Sequence, residues 1–131
     1  MKKYDNFSKA LKNLKECLKV EEPYSVVEQT GIVGLFQICF EQSWKLMKEV
    51  LENHGRFAVR TGSLREIIKI AYQCDMIKNQ KAWLEILESR NILAHTYSDE
   101  QSLNVIKSIK SDYISVFEEL KNELDKRWLD I

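Results

Sequence analysis

One proline and four glycines in 131 residues leave few places where a helix has to break. Nothing alternates with period two over a useful length, and no hairpin signal separates two β-branched runs, so strands are excluded as the framework. No run approaches the ~20 consecutive apolar residues that would cross a bilayer. Excess charge is missing too: 20 lysines and arginines meet 20 aspartates and glutamates. Bulk positive charge therefore does not hold this chain to nucleic acid, although a local basic site remains open. The lysines of 2–19 are one uneven stretch, and they read as a solvated helix face. Cys17, Cys39 and Cys74 are odd in number and widely spaced, with no CxxC pair and no HExxH. That excludes a disulfide framework or a zinc site and leaves buried free thiols in a reducing compartment. Met1-Lys2-Lys3-Tyr4-Asp5 leads into a charged helix rather than the apolar core of a signal peptide. The expectation is a soluble cytoplasmic chain with no membrane segment, no metal and no cofactor.

What is present is helical periodicity, over one domain spanning 1–131. Tyr4, Phe7, Leu11, Leu14 and Leu18 recur at three- and four-residue steps and make a narrow stripe, which Glu21-Glu22-Pro23 ends. Ser25-x-x-Glu28, Ser63-x-x-Glu66 and Ser98-Asp99-Glu100-Gln101 have the form of capping boxes, which satisfy free amides at helix starts. Asn79 is a further N-cap, and Gly55 after His54 suits a C-terminal cap. Five helices follow, the third of them short. The fold class is all-α: an up-and-down antiparallel bundle of four main helices plus a short one. The second helix carries apolar residues from Ile32 to Leu51 around much of its circumference. That stripe is too wide for one bundle core, and homodimerisation supplies a second packing partner.

The most informative stretch is Arg90-Asn91-Ile92-Leu93-Ala94-His95-Thr96-Tyr97. It gathers a fixed cation, an amide, an imidazole and a phenol, in a chain with only two histidines. A guanidinium grips phosphate in fork geometry, and an imidazole moves protons near neutral pH. If Ser98 caps the last helix, the fourth ends near Thr96 or Tyr97. Arg90 and His95 then lie about 140° apart around its axis, while Asn91 and His95 share a face. One copy need not place both on one phosphate; two copies across a two-fold axis would. The plain reading is a helix-end ion pair of Arg90 with Glu88 or Asp99, and a histidine that caps carbonyls. Trp44 and Trp83 read as core anchors, His54 as a helix-terminal histidine, and Lys45 and Lys48 as solvated, phosphate-contacting or partner-binding.

Arg-x4-His-x-Tyr, with asparagine after the arginine, resembles the signature of the HEPN superfamily of small helical bundles. Phe36-Gln37-x3-Glu41-Gln42-x-Trp44-Lys45-x2-Lys48 is similar to the FE-x3-E-x2-WK-x2-K pattern of its nucleotidyltransferase substrate-binding branch. Gln37 departs from the glutamate of that pattern, and Gln42 follows the retained Glu41. Trp83-Leu84-Glu85 also agrees, and the likeness runs from about Tyr4 to Trp128.

The resemblance implies a dimeric bundle that works with a separately encoded minimal nucleotidyltransferase, in a pair like a toxin–antitoxin system. In the related toxin branch the arginine and histidine cut RNA without metal, and the partner adenylylates the tyrosine. Carried over, Arg90 and His95 are the catalytic pair and Tyr97 the modification target. Asn91, Lys45 and Lys48 are orienting or substrate-binding candidates. Two readings stand: a ribonuclease toxin restrained by its partner, or a non-catalytic subunit that binds a nucleotide or presents a substrate to that enzyme. A nucleotidyltransferase itself is not encoded here, because the strand-rich core and the Gly-Ser plus paired-aspartate signature are absent.

Overall fold

A computed structural model describes residues 1–129. Helix α1 spans Lys2–Leu14 and runs into a 3-10 turn, Lys15–Lys19. Helix α2, Val26–Asn53, is the longest, and a 3-10 turn at Phe57–Arg60 leads to the short α3, Leu64–Gln73. Helix α4 is Gln80–Leu93. The last helical path comprises α5, Asp99–Ser108, a π turn at Ile109–Tyr113, α6, Ile114–Glu123, and a second π turn at Leu124–Trp128. Right-handed helical dihedrals persist through each of those junctions, so 99–128 is one continuous helix.

Local chemistry sets the boundaries. Ser25, Ser63 and Ser98 each form both bonds of a capping box. Asn79 Oδ1 accepts from the Ala82 amide at 3.0 Å. Gly55 follows the C-cap His54 at φ +83°, a left-handed conformation that costs glycine no Cβ clash.

Side-chain pairs fix the topology. Tyr4 meets Asp125, Phe7 meets Phe117, and Lys110 donates to the Val20 carbonyl, so α1 runs antiparallel to the last helix. Gln37 reaches Leu93 and Glu41 reaches Arg90, so α2 and α4 are antiparallel. Trp83 packs on Phe117 and Ser89 on Tyr113, so α4 opposes the last helix. The four main helices therefore alternate in direction, with α3 inserted between α2 and α4. Their centre is aromatic: Phe36 stacks on Tyr113 at 5.7 Å, and Trp83 meets Phe117 edge-on at 5.5 Å. The Ser89 and Tyr113 hydroxyls, 2.7 Å apart, satisfy each other in the interior.

Two expectations change. Helix α2 is central and packs against α1, α3, α4, α5 and the 3-10 turn before α3. One chain thereby buries Ile32, Val33, Phe36, Cys39, Phe40, Leu46, Met47, Val50 and Leu51, and the width of the stripe does not itself call for a second copy. The apolar remainder on its outer face is smaller: Val26, Val27 and Ile38 are exposed and Leu35 is half-buried. Among the cysteines, Cys17 and Cys39 are buried, but Cys74 is half-exposed because it sits at the C-cap of α3. Burial pushes the Cys39 thiol well up, and the Cys17 thiol also, there partly opposed by the charge of Lys110. No helix among the described residues is long and apolar enough to cross a membrane.

Candidate functional site

Helix α4 ends at Leu93, three to four residues before the Thr96 or Tyr97 that the Ser98 cap suggests. The Ala94 amide closes the last turn on the Arg90 and Asn91 carbonyls, and the capping box at Ser98 needs extended backbone before it. Residues 94–98 are thus a short open connection, with the His95, Thr96 and Tyr97 side chains all exposed. His95 lies outside the helix, so neither the 140° separation from Arg90 nor the shared face with Asn91 applies to it. No hydrogen bond joins His95 to Arg90, Asn91 or Tyr97 among the described residues; Asn91 Oδ1 instead accepts from Arg90 at 3.0 Å. Tyr97 is 37% exposed.

Arg90, on the last turn of α4, turns toward α2. Its guanidinium lies 4.0 Å from Glu41 and 6.0 Å from the centre of the Phe40 ring. Its ionic partner is therefore Glu41, not Glu88 or Asp99. Glu41 also takes the Trp44 indole N–H at 3.0 Å and the Lys45 ammonium at 3.5 Å. One carboxylate thus ties the second-helix pattern to the Arg-x4-His stretch. Glu41 is the residue that pattern reading passed over as a site member. Its links to Trp44 and Lys45 were legible as three- and four-residue helical steps, whereas its link to Arg90 depends on tertiary packing.

Gln37 has a physical account as well. Its amide nitrogen donates to the Leu93 carbonyl at 3.4 Å, one of the free acceptors at the end of α4. An ionised glutamate in its place would have no proton to give and would face that negative helix end.

The other lysine candidate sits farther along. Lys48 lines an open cleft of about 500 Å³ with Lys3, Trp44, Lys45, Glu49 and Glu52. Trp44 is half-buried, packing against the core on one side and walling this cleft on the other; Trp83, 2% exposed, lies fully inside. His54 stays clear of the site, with its ring Nε2 3.1 Å from the Trp128 carbonyl. Among the described residues no group of three His, Cys, Asp or Glu side chains is placed to hold a metal ion.

Comparison with known proteins bears on the fold and the family. A crystal structure of a protein from Thermus thermophilus superposes with a TM-score of 0.78. It is 24% identical and covers 90% of this chain and 98% of that one, which establishes the shared fold. A Haemophilus influenzae protein described as "Probable ribonuclease HepT" is 29% identical over 65% of this chain. The match spans 62% of that relative's length. The family described as "Nucleotidyltransferase substrate binding protein like" matches residues 2–126, nearly the whole chain. With a match that runs over residues 2–126, the chain belongs to the nucleotidyltransferase substrate-binding family.

Proposed function

We propose that this chain is the partner of a separately encoded nucleotidyltransferase, in a toxin–antitoxin-like pair, and that its homodimer cleaves RNA without a metal ion. The carrying observation is the exposure of the His95 imidazole in an open connection one turn past Arg90. The relative described as a ribonuclease supports the same chemistry. Val27, Gly31, Gly34 and Ile38 recur at steps of four, three and four, so they share one face of α2. Space stands open over both glycines, and Ile38 is 54% exposed. That row leads directly to Glu41 and Arg90. A self-complementary contact along it brings two copies of 90–97 toward one two-fold axis.

In that composite site one His95 accepts the proton of a ribose 2′-hydroxyl while its oxygen attacks the phosphorus. The bond from phosphorus to the 5′-oxygen breaks, leaving a cyclic phosphate. The second His95 returns a proton to the departing oxygen. Arg90, oriented by Asn91 and Glu41, stabilises the charge on the pentavalent phosphorus. Tyr97 is the proposed acceptor of an adenylyl group from the partner enzyme.

The test is expression of wild type, His95→Ala and Ile38→Asp in cells lacking the partner, with growth and RNA integrity followed together. Toxicity and RNA cleavage that vanish in both variants, with a monomeric mass for Ile38→Asp, support the reading. Intact RNA and equal growth in all three overturn it. A second reading then takes over, in which a non-catalytic subunit presents a nucleotide or substrate to the nucleotidyltransferase. The cleft walled by Trp44, Lys45 and Lys48 favours that second reading, because an aromatic face beside ammonium groups suits a base with its phosphates.

A further inference from the structure

The outer face of α2 changes character along its length. Its first half is the apolar row from Val27 to Ile38. Its second half, from Glu41 onward, presents the Trp44 ring and the ammonium groups of Lys45 and Lys48 among the carboxylates of Glu41, Glu49 and Glu52. Glu41 links Arg90, Trp44 and Lys45. Lys45 lies 5.9 Å from the centre of the Trp44 ring, and both border the cleft that Lys3, Lys48 and Glu52 complete. Glu52 in turn faces Arg60 at 3.8 Å. Arg60, from the turn after α2, stacks its guanidinium 4.4 Å from the centre of the Phe57 ring. Phe57 is 56% exposed, the only buried apolar member of its turn being Val59. A continuous path therefore runs from the candidate site to a ring presented to solvent.

From this path we infer that the second half of α2 and the Phe57–Arg60 turn form a binding track for single-stranded RNA, which carries the strand away from Arg90. The inference rests on the proposed RNA reading of the Arg90/His95 site and names where the rest of the substrate lies. Several features favour a nucleic acid strand over a protein. Five cations, Lys3, Lys45, Lys48, Arg60 and Arg90, meet only Glu41, Glu49 and Glu52 along the path, so it is locally positive in a chain of zero net charge. Its apolar surface is the exposed Phe57 ring and the half-buried Trp44 face, too little for the core of a protein interface but sufficient for bases to stack on. The eleven residue steps from Glu41 to Glu52 rise about 16 Å along the helix. That length matches roughly five stacked nucleotides at about 3.4 Å each. Arg60 covers one face of Phe57 and leaves the other for a base, as aromatic and guanidinium platforms do for unpaired RNA.

The test uses full-length protein carrying His95→Ala, so that RNA is held rather than cut. Binding to a fluorescein-labelled single-stranded RNA of about 12 nucleotides is read by anisotropy at several salt concentrations. Phe57→Ala is expected to weaken binding about tenfold. Arg60→Gln is expected to lower the slope of log affinity against log salt by about 0.7, the share of one phosphate contact. Lys107→Ala, exposed on α5 away from the track, should match the parent. Unchanged circular dichroism and melting temperature show that these surface variants fold. If the parent binds RNA and Phe57→Ala and Arg60→Gln bind it equally well, the track is overturned while the RNA reading stands. If the parent binds no RNA at all, the RNA reading itself falls. Should Phe57→Ala then release the purified nucleotidyltransferase, the same surface is a protein dock and the RNA track is overturned.

Discussion

Ser89 and Arg90 are neighbours on α4, yet they belong to opposite parts of the molecule. Ser89 faces inward, its hydroxyl paired with Tyr113 in an interior built on Phe36, Trp83 and Phe117. Arg90 is half-exposed and reaches sideways to Glu41, and five residues later His95 stands in solvent. The interior is over-determined, since Phe117 alone touches three other rings and the Ser89 and Tyr113 hydroxyls satisfy each other. The site end is under-determined: its imidazole and phenol have no fixed intramolecular partner among the described residues. The difference teaches that α4 holds the bundle with its inner face and offers chemistry only where its helix stops. Stability and the proposed activity should therefore be separable by mutation.

The largest expected effect tests that separation at the site. His95→Ala should lower RNA cleavage by roughly 10²- to 10⁴-fold, the usual contribution of a general acid or base. Its unfolding free energy in urea should move by no more than about 0.5 kcal/mol, as for an exposed side chain. A large loss of stability in His95→Ala would break the comparison. The converse comes from the interior. Phe117→Ala removes a ring that touches Phe7, Phe36 and Trp83, and should cost about 3–5 kcal/mol in urea unfolding. A smaller effect lies at the hinge between the two regions. Ser98→Ala deletes the hydroxyl that accepts from Gln101, and should cost about 1 kcal/mol. Because Ser98 also sets where the connection ends, the loss should be accompanied by faster amide exchange at 99–101.

The smallest effect is a titration. Burial holds the Cys39 thiol up in the folded chain, whereas the unfolded chain ionises it near its ordinary value of about 8.5. The folded state then binds more protons than the unfolded state above that pH, so stability falls as pH rises. The share from Cys39 should be about 0.7 kcal/mol between about pH 8 and pH 9, and should disappear from the slope in Cys39→Ala. Equal slopes in the two proteins would show that the interior admits the thiolate.

The degree to which the sequence was legible follows this same division. Helix starts were readable because a cap is a local device. Ser25, Ser63, Asn79 and Ser98 each satisfy an amide within three residues, and no distant contact is needed for that. The end of α4 was less readable, because no glycine marks it and the chain stops helical winding at Leu93 to meet the next cap. The residues of the motif were visible as residue types, and its resemblance to a family pattern pointed to their roles. Their partners were not visible. Arg90 pairs across to Glu41 on another helix rather than to a neighbour on its own. The broad apolar stripe of α2 was read as too wide for one bundle core and as calling for a second copy, but one chain buries most of it, because α2 lies at the centre of the bundle.

The sequence by itself determined what local chemistry and periodicity can determine: an all-helical chain, four cap-defined helix starts, an aromatic core, and an Arg-x4-His-x-Tyr stretch near a helix end. Those features act over three or four residues, the range in which backbone geometry alone fixes neighbours. Only the tertiary structure decided that Glu41 binds Arg90 to the second-helix pattern, and that Trp44 walls a cleft while Trp83 fills the core. It also placed the ring of Phe57 at the end of a cationic path. Each of these depends on how antiparallel helices align in register, and that register is set by packing of the whole interior rather than by any segment of the chain.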